Sequence, residues 1–134
     1  MTTVLIVDPN ESTRLALESQ LAQSNQFGRV LAAASWSAAR VCLLQYDVKV
    51  VLIDAQHASG SAHLKAIKNR HPELGVVLVQ DQGEQLDRKT LMALGGHAQT
   101  SRLAAPIEIM VCVAKALVAP LKPGKRMLDK FLKD

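Results

Sequence analysis

The chain has 134 residues, 49% hydrophobic and 21% charged, with 16 basic against 12 acidic side chains. That is one domain of ordinary size, able to bury roughly two-thirds of its unfolded surface without disulfides or metals to staple it. Short apolar runs exclude a membrane span, Met1-Thr2-Thr3 lacks the basic start of a signal peptide, and 3% aromatic content argues against a stacking platform for single-stranded nucleic acid.

Thr3 to Val7 is a continuous aliphatic and β-branched run ending at Asp8-Pro9-Asn10. Such a strand suits a sheet covered on both faces. Asn10 is a good N-cap with Glu11 in the first turn, and Leu15, Leu17, Leu21 and Ala22 continue a helix that stops at Ser24-Asn25-Gln26. Asp8 is a second candidate cap for this helix. After Gly28, Arg29 to Ala34 reads as the second strand. Ser35 or Ser37 caps a second helix with Ala38, Val41, Cys42 and Leu44 as its apolar face, ending near Tyr46. Trp36, at its start, is expected to be partly buried.

Val48 to Ile53 is a third strand ending on Asp54, and Ala55 to Gly60 reads as a loop. A third helix carries Ala62, Leu64, Ala66 and Ile67 and stops at His71-Pro72. Gly75 to Val79 is the fourth strand, with a polar loop from Gln80 to Glu84. Leu86, Leu91, Met92 and Leu94 mark a fourth helix, ended by Gly95-Gly96. His97 to Leu103 is a weaker fifth strand. Pro106 opens the fifth helix, through Ile109, Met110, Val113, Ala114 and Leu117, and Pro120 and Pro123-Gly124 break it.

Five β-α units with covered strands predict one doubly wound, five-stranded parallel sheet with helices on both faces, over residues 1–119. Functional groups in such sheets gather at the carboxyl ends of the strands, here Asp8, Asp54, Gln80-Asp81 and Ala104-Ala105-Pro106. Residues 120–134 form a basic tail or linker with five basic against two acidic residues. The body is nearly neutral, so a solvated end is expected there rather than a nucleic-acid or membrane contact. Within the tail, Met127, Leu128, Phe131 and Leu132 could line one face of a short helix. That stripe could fold back on the body, start a linker or make a dimer contact.

The strand ends "VLIVDPNESTR", "VVLID", "VVLVQD" and "AAPI" give residues 3–118 a pattern that resembles the receiver (CheY-like) domain of bacterial two-component response regulators. The resemblance implies a flavodoxin-like (βα)5 fold and a phosphoacceptor at Asp54. It implies a Mg²⁺ site built from Asp8, Asp54 and the backbone carbonyl of Gln56, because Mg²⁺ takes oxygen ligands in octahedral geometry. The acceptor attacks a phosphoryl group while metal and lysine neutralise developing charge.

The match is partial. Pro9 replaces the second acidic residue of the family pattern, Gln80 stands where Ser or Thr is usual, Ala105 replaces the lysine, and Arg102 stands where a switching aromatic is usual. The loop from Asp54 to Gly60 is about two residues short for the family. Losing one charge-stabilising group costs about 3 kcal/mol of transition-state stabilisation. The expectation is a degenerate, or pseudo-, receiver: a cytoplasmic, non-enzymatic signalling domain with at most weak Mg²⁺ binding. It acts by protein–protein contact with a histidine kinase, an output domain or another signalling protein. A homodimer through the fourth-helix to fifth-strand face, Leu86 to Leu94 with the strand near Arg102, is a further expectation. Arg102 or Lys89 could swing into the site and compensate for the losses.

Two alternatives stay open. Asp54 is a working phosphoacceptor with weak Mg²⁺, or the chain is the N-terminal regulatory module of a larger protein, such as a pilus-assembly ATPase or a cyclic-dinucleotide output protein. An FMN-binding flavodoxin is less favoured, since no phosphate-binding Ser/Thr-Gly-rich loop follows the first strand. His57 and His63 read as a chance pair, not metal ligands. Cys42 and Cys112 read as core and suit a reducing compartment.

Overall fold

The computed structural model describes residues 2–58, 62–81 and 85–119. The expected tail helix and its stripe Met127, Leu128, Phe131 and Leu132 lie outside these residues, as does the break at Pro120. The elements run β1 (Thr3–Val7), α1 (Glu11–Gln23), β2 (Arg29–Ala33), α2 (Trp36–Gln45), β3 (Val48–Asp54), α3 (Ala55–Ala58), α4 (Ala62–Arg70), β4 (Gly75–Gln80), α5 (Arg88–Ala93), β5 (Ala98–Ser101) and α6 (Pro106–Val118). The strands form one sheet in the order β2-β1-β3-β4-β5, every pair parallel. This is the doubly wound architecture expected from the alternation.

Period-2 alternation splits each central strand between two cores. Leu5, Val7, Val51, Ile53, Val76 and Leu78 join Ala39, Leu43, Leu64 and Leu91 under α2, α4 and α5. Val4, Ile6, Val50, Leu52, Val77 and Val79 face Leu17 and Leu21 of α1 and Ile109, Val113 and Ala116 of α6. Both sides of Val4–Val7, Val50–Ile53 and Val76–Val79 are dry, which is why these stretches are apolar without interruption.

Local signals set most boundaries. Asn10 caps α1 by accepting a hydrogen bond from Thr13 N, Ser35 caps α2 and Pro106 opens α6. Gly95, at φ +89°, stops the chain beyond α5 in a conformation that side chains rarely adopt.

Five expectations need correction. Residues 55–58 form a helical turn, not a loop, because the Asp54 carboxylate accepts the otherwise unpaired His57 N–H at its start. The buried face of α2 is Trp36, Ala39 and Leu43, whereas Leu44 is 76% exposed and Val41 is also exposed. Trp36 starts the helix already under the sheet, and the 3.6-residue period then fixes Ala39 and Leu43 inward. Leu86 precedes α5, and Met92 on that helix points outward at 63% exposure. With only six residues, α5 has room for one inward stripe, which Leu91 takes. Leu15 on α1 is likewise exposed. Strand β5 spans only Ala98–Ser101, since a turn follows it, closed by Ala104 N donating to Ser101 O at 3.0 Å.

Candidate functional site

The sheet order reverses direction between β1 and β3, and a crevice opens outside the carboxyl ends of strands at such a point. Asp8 lies there, one residue beyond β1, only 1% exposed. Its backbone N–H donates to Ala33 O at 3.1 Å, and Arg14 Nη1 donates to its carbonyl at 2.9 Å. Asp8 Oδ1 accepts from Asn10 N at 2.8 Å. Asp8 therefore closes the turn into α1, while Asn10 makes the cap. Asp8 Oδ2 is buried with no hydrogen-bond partner among the described residues. Burial raises the pKa of Asp8 above its usual value, with the Asp54 charge adding to it; the Asn10 N–H and the cations Arg102 and Arg14 oppose the rise.

Asp54 ends β3 and is 6% exposed. Its Oδ2 accepts from His57 N at 3.1 Å, and its Oδ1 accepts from Arg102 Nη2. Arg102 follows β5, and its guanidinium reaches three elements at once. Besides Asp54, Nη1 donates to Thr13 Oγ1 on α1 at 2.9 Å, and Nε lies 3.1 Å from Asp81 Oδ1 as an ion-pair contact. Burial opposes the charge on Arg102, but the Asp54 hydrogen bond and the carboxylates of Asp54, Asp8 and Asp81 outweigh it and raise its pKa.

The remaining positions do not converge on Asp54. Gln80 is buried, but its Nε2 donates to Gln99 Oε1 at 3.2 Å. Gln99 in turn clamps the lead-in to α5, donating to Leu86 O at 2.7 Å and accepting from Leu86 N at 3.0 Å. Pro9 and Ala105 are exposed, and Ala105 offers α6 no side-chain cap. Gln56 is exposed on α3. Lys89 is exposed on α5 with no ion pair to Asp8 or Asp54. Of the two candidates for compensation, Arg102 is the one that enters the site.

Sequence reading missed the aromatic cluster beside this site. Trp36 is stacked with two imidazoles, His57 at 5.2 Å and 11° and His63 at 5.6 Å and 24° between ring planes. Histidines separated by six residues gave no signal of a shared aromatic partner on another helix. Cys42 and Cys112 are both half-buried against the two cores and bear no disulfide. Cys112 Sγ donates to Gln99 O at 3.2 Å, and burial pushes its thiol pKa up. Among the described residues no group of three or more His, Cys, Asp or Glu side chains is arranged to hold a metal. None of their helices is long and apolar enough to cross a membrane.

No family model and no curated protein matches the sequence. Solved structures do match the fold. A response regulator receiver domain protein of Clostridium thermocellum superposes with a TM-score of 0.71 at 18% identity, covering 87% of this chain and 94% of that one. CheY4, a chemotaxis response regulator of Vibrio cholerae, gives 0.73 at 16%, covering 87% and 99%. NtrX from Brucella abortus, solved with ADP, gives 0.79 at 22% over 100% of this chain, which spans 30% of the NtrX chain. The fold is that of receiver domains.

Proposed function

We propose that the chain is a receiver-type signalling module of the two-component kind whose input is not phosphorylation of Asp54. It works through protein–protein contact, as a non-enzymatic cytoplasmic domain. The observation that carries this reading is the Arg102 guanidinium on Asp54 Oδ1. An acceptor carboxylate needs an oxygen able to attack and a divalent cation shared with the incoming phosphoryl group. Here Arg102 and the His57 N–H each engage one oxygen of Asp54. Pro9 adds no oxygen ligand, and Ala105 adds no cation. On this reading Arg102 takes the place of both metal and lysine, so Mg²⁺ binds only by displacing it. The face at α5 and β5, with exposed Met92 and Leu103, is where a kinase, an output domain or a second copy would dock. The same module would serve at the N-terminus of a longer protein.

One observation favours a second reading. Asp8 Oδ2 is buried without a partner among the described residues, as an oxygen kept for a cation would be. Under that reading Asp54 is a phosphoacceptor with weak Mg²⁺ binding. Titration with Mg²⁺ and beryllofluoride, followed by amide NMR shifts, separates the two. The proposal expects no shift at Asp8, Asp54 or Gln80 in the unaltered chain. It also expects Mg²⁺-dependent shifts to appear in Arg102→Ala. Beryllofluoride shifts in the unaltered chain that spread to α5 and β5 would establish the second reading instead.

A further inference from the structure

The flank of the domain between α2 and α4 holds a cavity of about 190 Å³, lined by Arg40, His63, Ala66, Ile67, Arg70 and His71. Four of these six are basic and none is acidic. Arg40 comes from α2; the others come from α4 and its C-terminal residue. Among the described residues neither arginine is ion-paired to a carboxylate. Arg40 Nη2 lies 3.4 Å from His63 Nδ1, which leaves most of the guanidinium's five donors for another acceptor. Two guanidinium groups on one cavity without a carboxylate partner among the described residues repel each other, and a bound anion relieves this. The α4 C-terminus works against an anion here, because its carbonyl dipoles point toward Arg70 and His71. Two fixed guanidinium charges outweigh that half-charge.

We infer that this cavity is a binding site for a small oxyanion of the phosphate class, gripped between Arg40 and Arg70 with His71 as a further donor. Planar guanidinium forks match the oxygens of a tetrahedral anion. Drug-sized ligands occupy roughly 300–1,000 Å³. The smaller volume therefore takes one phosphate group, on its own or on a small carrier, and not a whole nucleotide. Ala66 and Ile67 supply the apolar part of the lining. The inference rests on residues other than Asp8, Asp54 and Arg102 and does not depend on how Asp54 is read.

The site carries its own reporter. Trp36 is the single tryptophan of the chain, and the His63 ring that lines the cavity is stacked on it. The test titrates the full chain with inorganic phosphate against chloride at matched ionic strength, reading Trp36 emission and the amide shifts of Arg40, Ala66 and Arg70. Phosphate is expected to give a saturable change and chloride none. Arg40→Gln and Arg70→Gln, both exposed positions, should each weaken binding about tenfold, as loss of a charge-assisted hydrogen bond does. Asp54→Asn should leave the titration unaltered, which separates this site from the carboxyl-edge site. O-phosphoserine binding tighter than phosphate identifies a phosphorylated carrier as the source; equal binding identifies the free anion. A change of equal size with chloride, no saturable change with phosphate, or unaltered affinity in both arginine variants would overturn the inference.

Discussion

At the amino end of β4, Gly75 lies so close to α6 that an added Cβ would meet Ala116 O at 2.2 Å. At the carboxyl end of the same sheet, Arg102 spans α1, β3 and the residue after β4 through charged contacts. The amino end is fixed by close approach and by hydrogen bonds to backbone: Val76 N donates to His97 Nδ1 at 3.0 Å, and Lys68 Nζ donates to Leu74 O at 2.8 Å. It has one arrangement and little reason to leave it. The carboxyl end is held by an ion-pair network whose strength depends on salt, protonation and competing ligands. One sheet thus carries a fixed end and an adjustable end, and the input of the proposed signalling module would belong at the second.

The largest effect should come from breaking the fixed end. Gly75→Ala places a methyl against backbone, which cannot rotate away, and should destabilise the fold by about 3 kcal/mol, measured as a urea midpoint. Met92→Ala, with its side chain in solvent, serves as a control expected to be near neutral.

Arg102→Leu tests the adjustable end. It leaves Asp54 and Asp8 close together without their cation. The pair is partly exposed, so the cost should be about 2 kcal/mol, between the values for buried and surface pairs. Salt should destabilise the parent and leave the variant nearly unaffected. Equal salt dependence in the two would mean that the network contributes little.

The two ends also respond to acid with opposite sign. Burial, helped by the Lys68 charge, lowers the His97 pKa from 6.5 to about 4. The unfolded chain therefore takes up this proton first, and the stability His97 contributes above pH 6.5 is lost as pH falls toward 4. After allowance for its partial exposure, the loss should be about 1–2 kcal/mol. The raised pKa of Asp8 acts the other way: its contribution is present below the usual carboxylate pKa and lost as pH rises. Comparing His97→Gln with the parent between pH 7 and pH 4.5 isolates the first effect. Gln can still accept from Val76 N but does not titrate, so its profile should be flatter.

Several features were legible locally. Asn10 and Ser35 as caps, Pro106 as a helix start and Gly95 as a stop follow from backbone chemistry within a few residues. The positions of Asp8 and Asp54 at adjoining strand ends follow once the β-α order is read. The α2 face was misread because apolar content alone does not fix helix phase. Val41 and Leu44 are apolar yet face solvent, while Trp36 sets the phase through its stack with His57 and His63.

The sequence by itself determined the alternating order, the two-sided burial of the central strands and the candidates at the carboxyl edge. These depend on period-2 and period-3.6 patterns and on turn chemistry, all short-range. The tertiary structure alone decided what Arg102 does. Its partners Asp54 and Thr13 lie 48 and 89 positions away along the chain, and no local pattern selects among carboxylates at such distances. Strand order places β5 two strands from β3, and the length of an arginine side chain closes that gap. The same holds for Arg40 and Arg70, which only the packing of α2 beside α4 turns into the walls of one cavity.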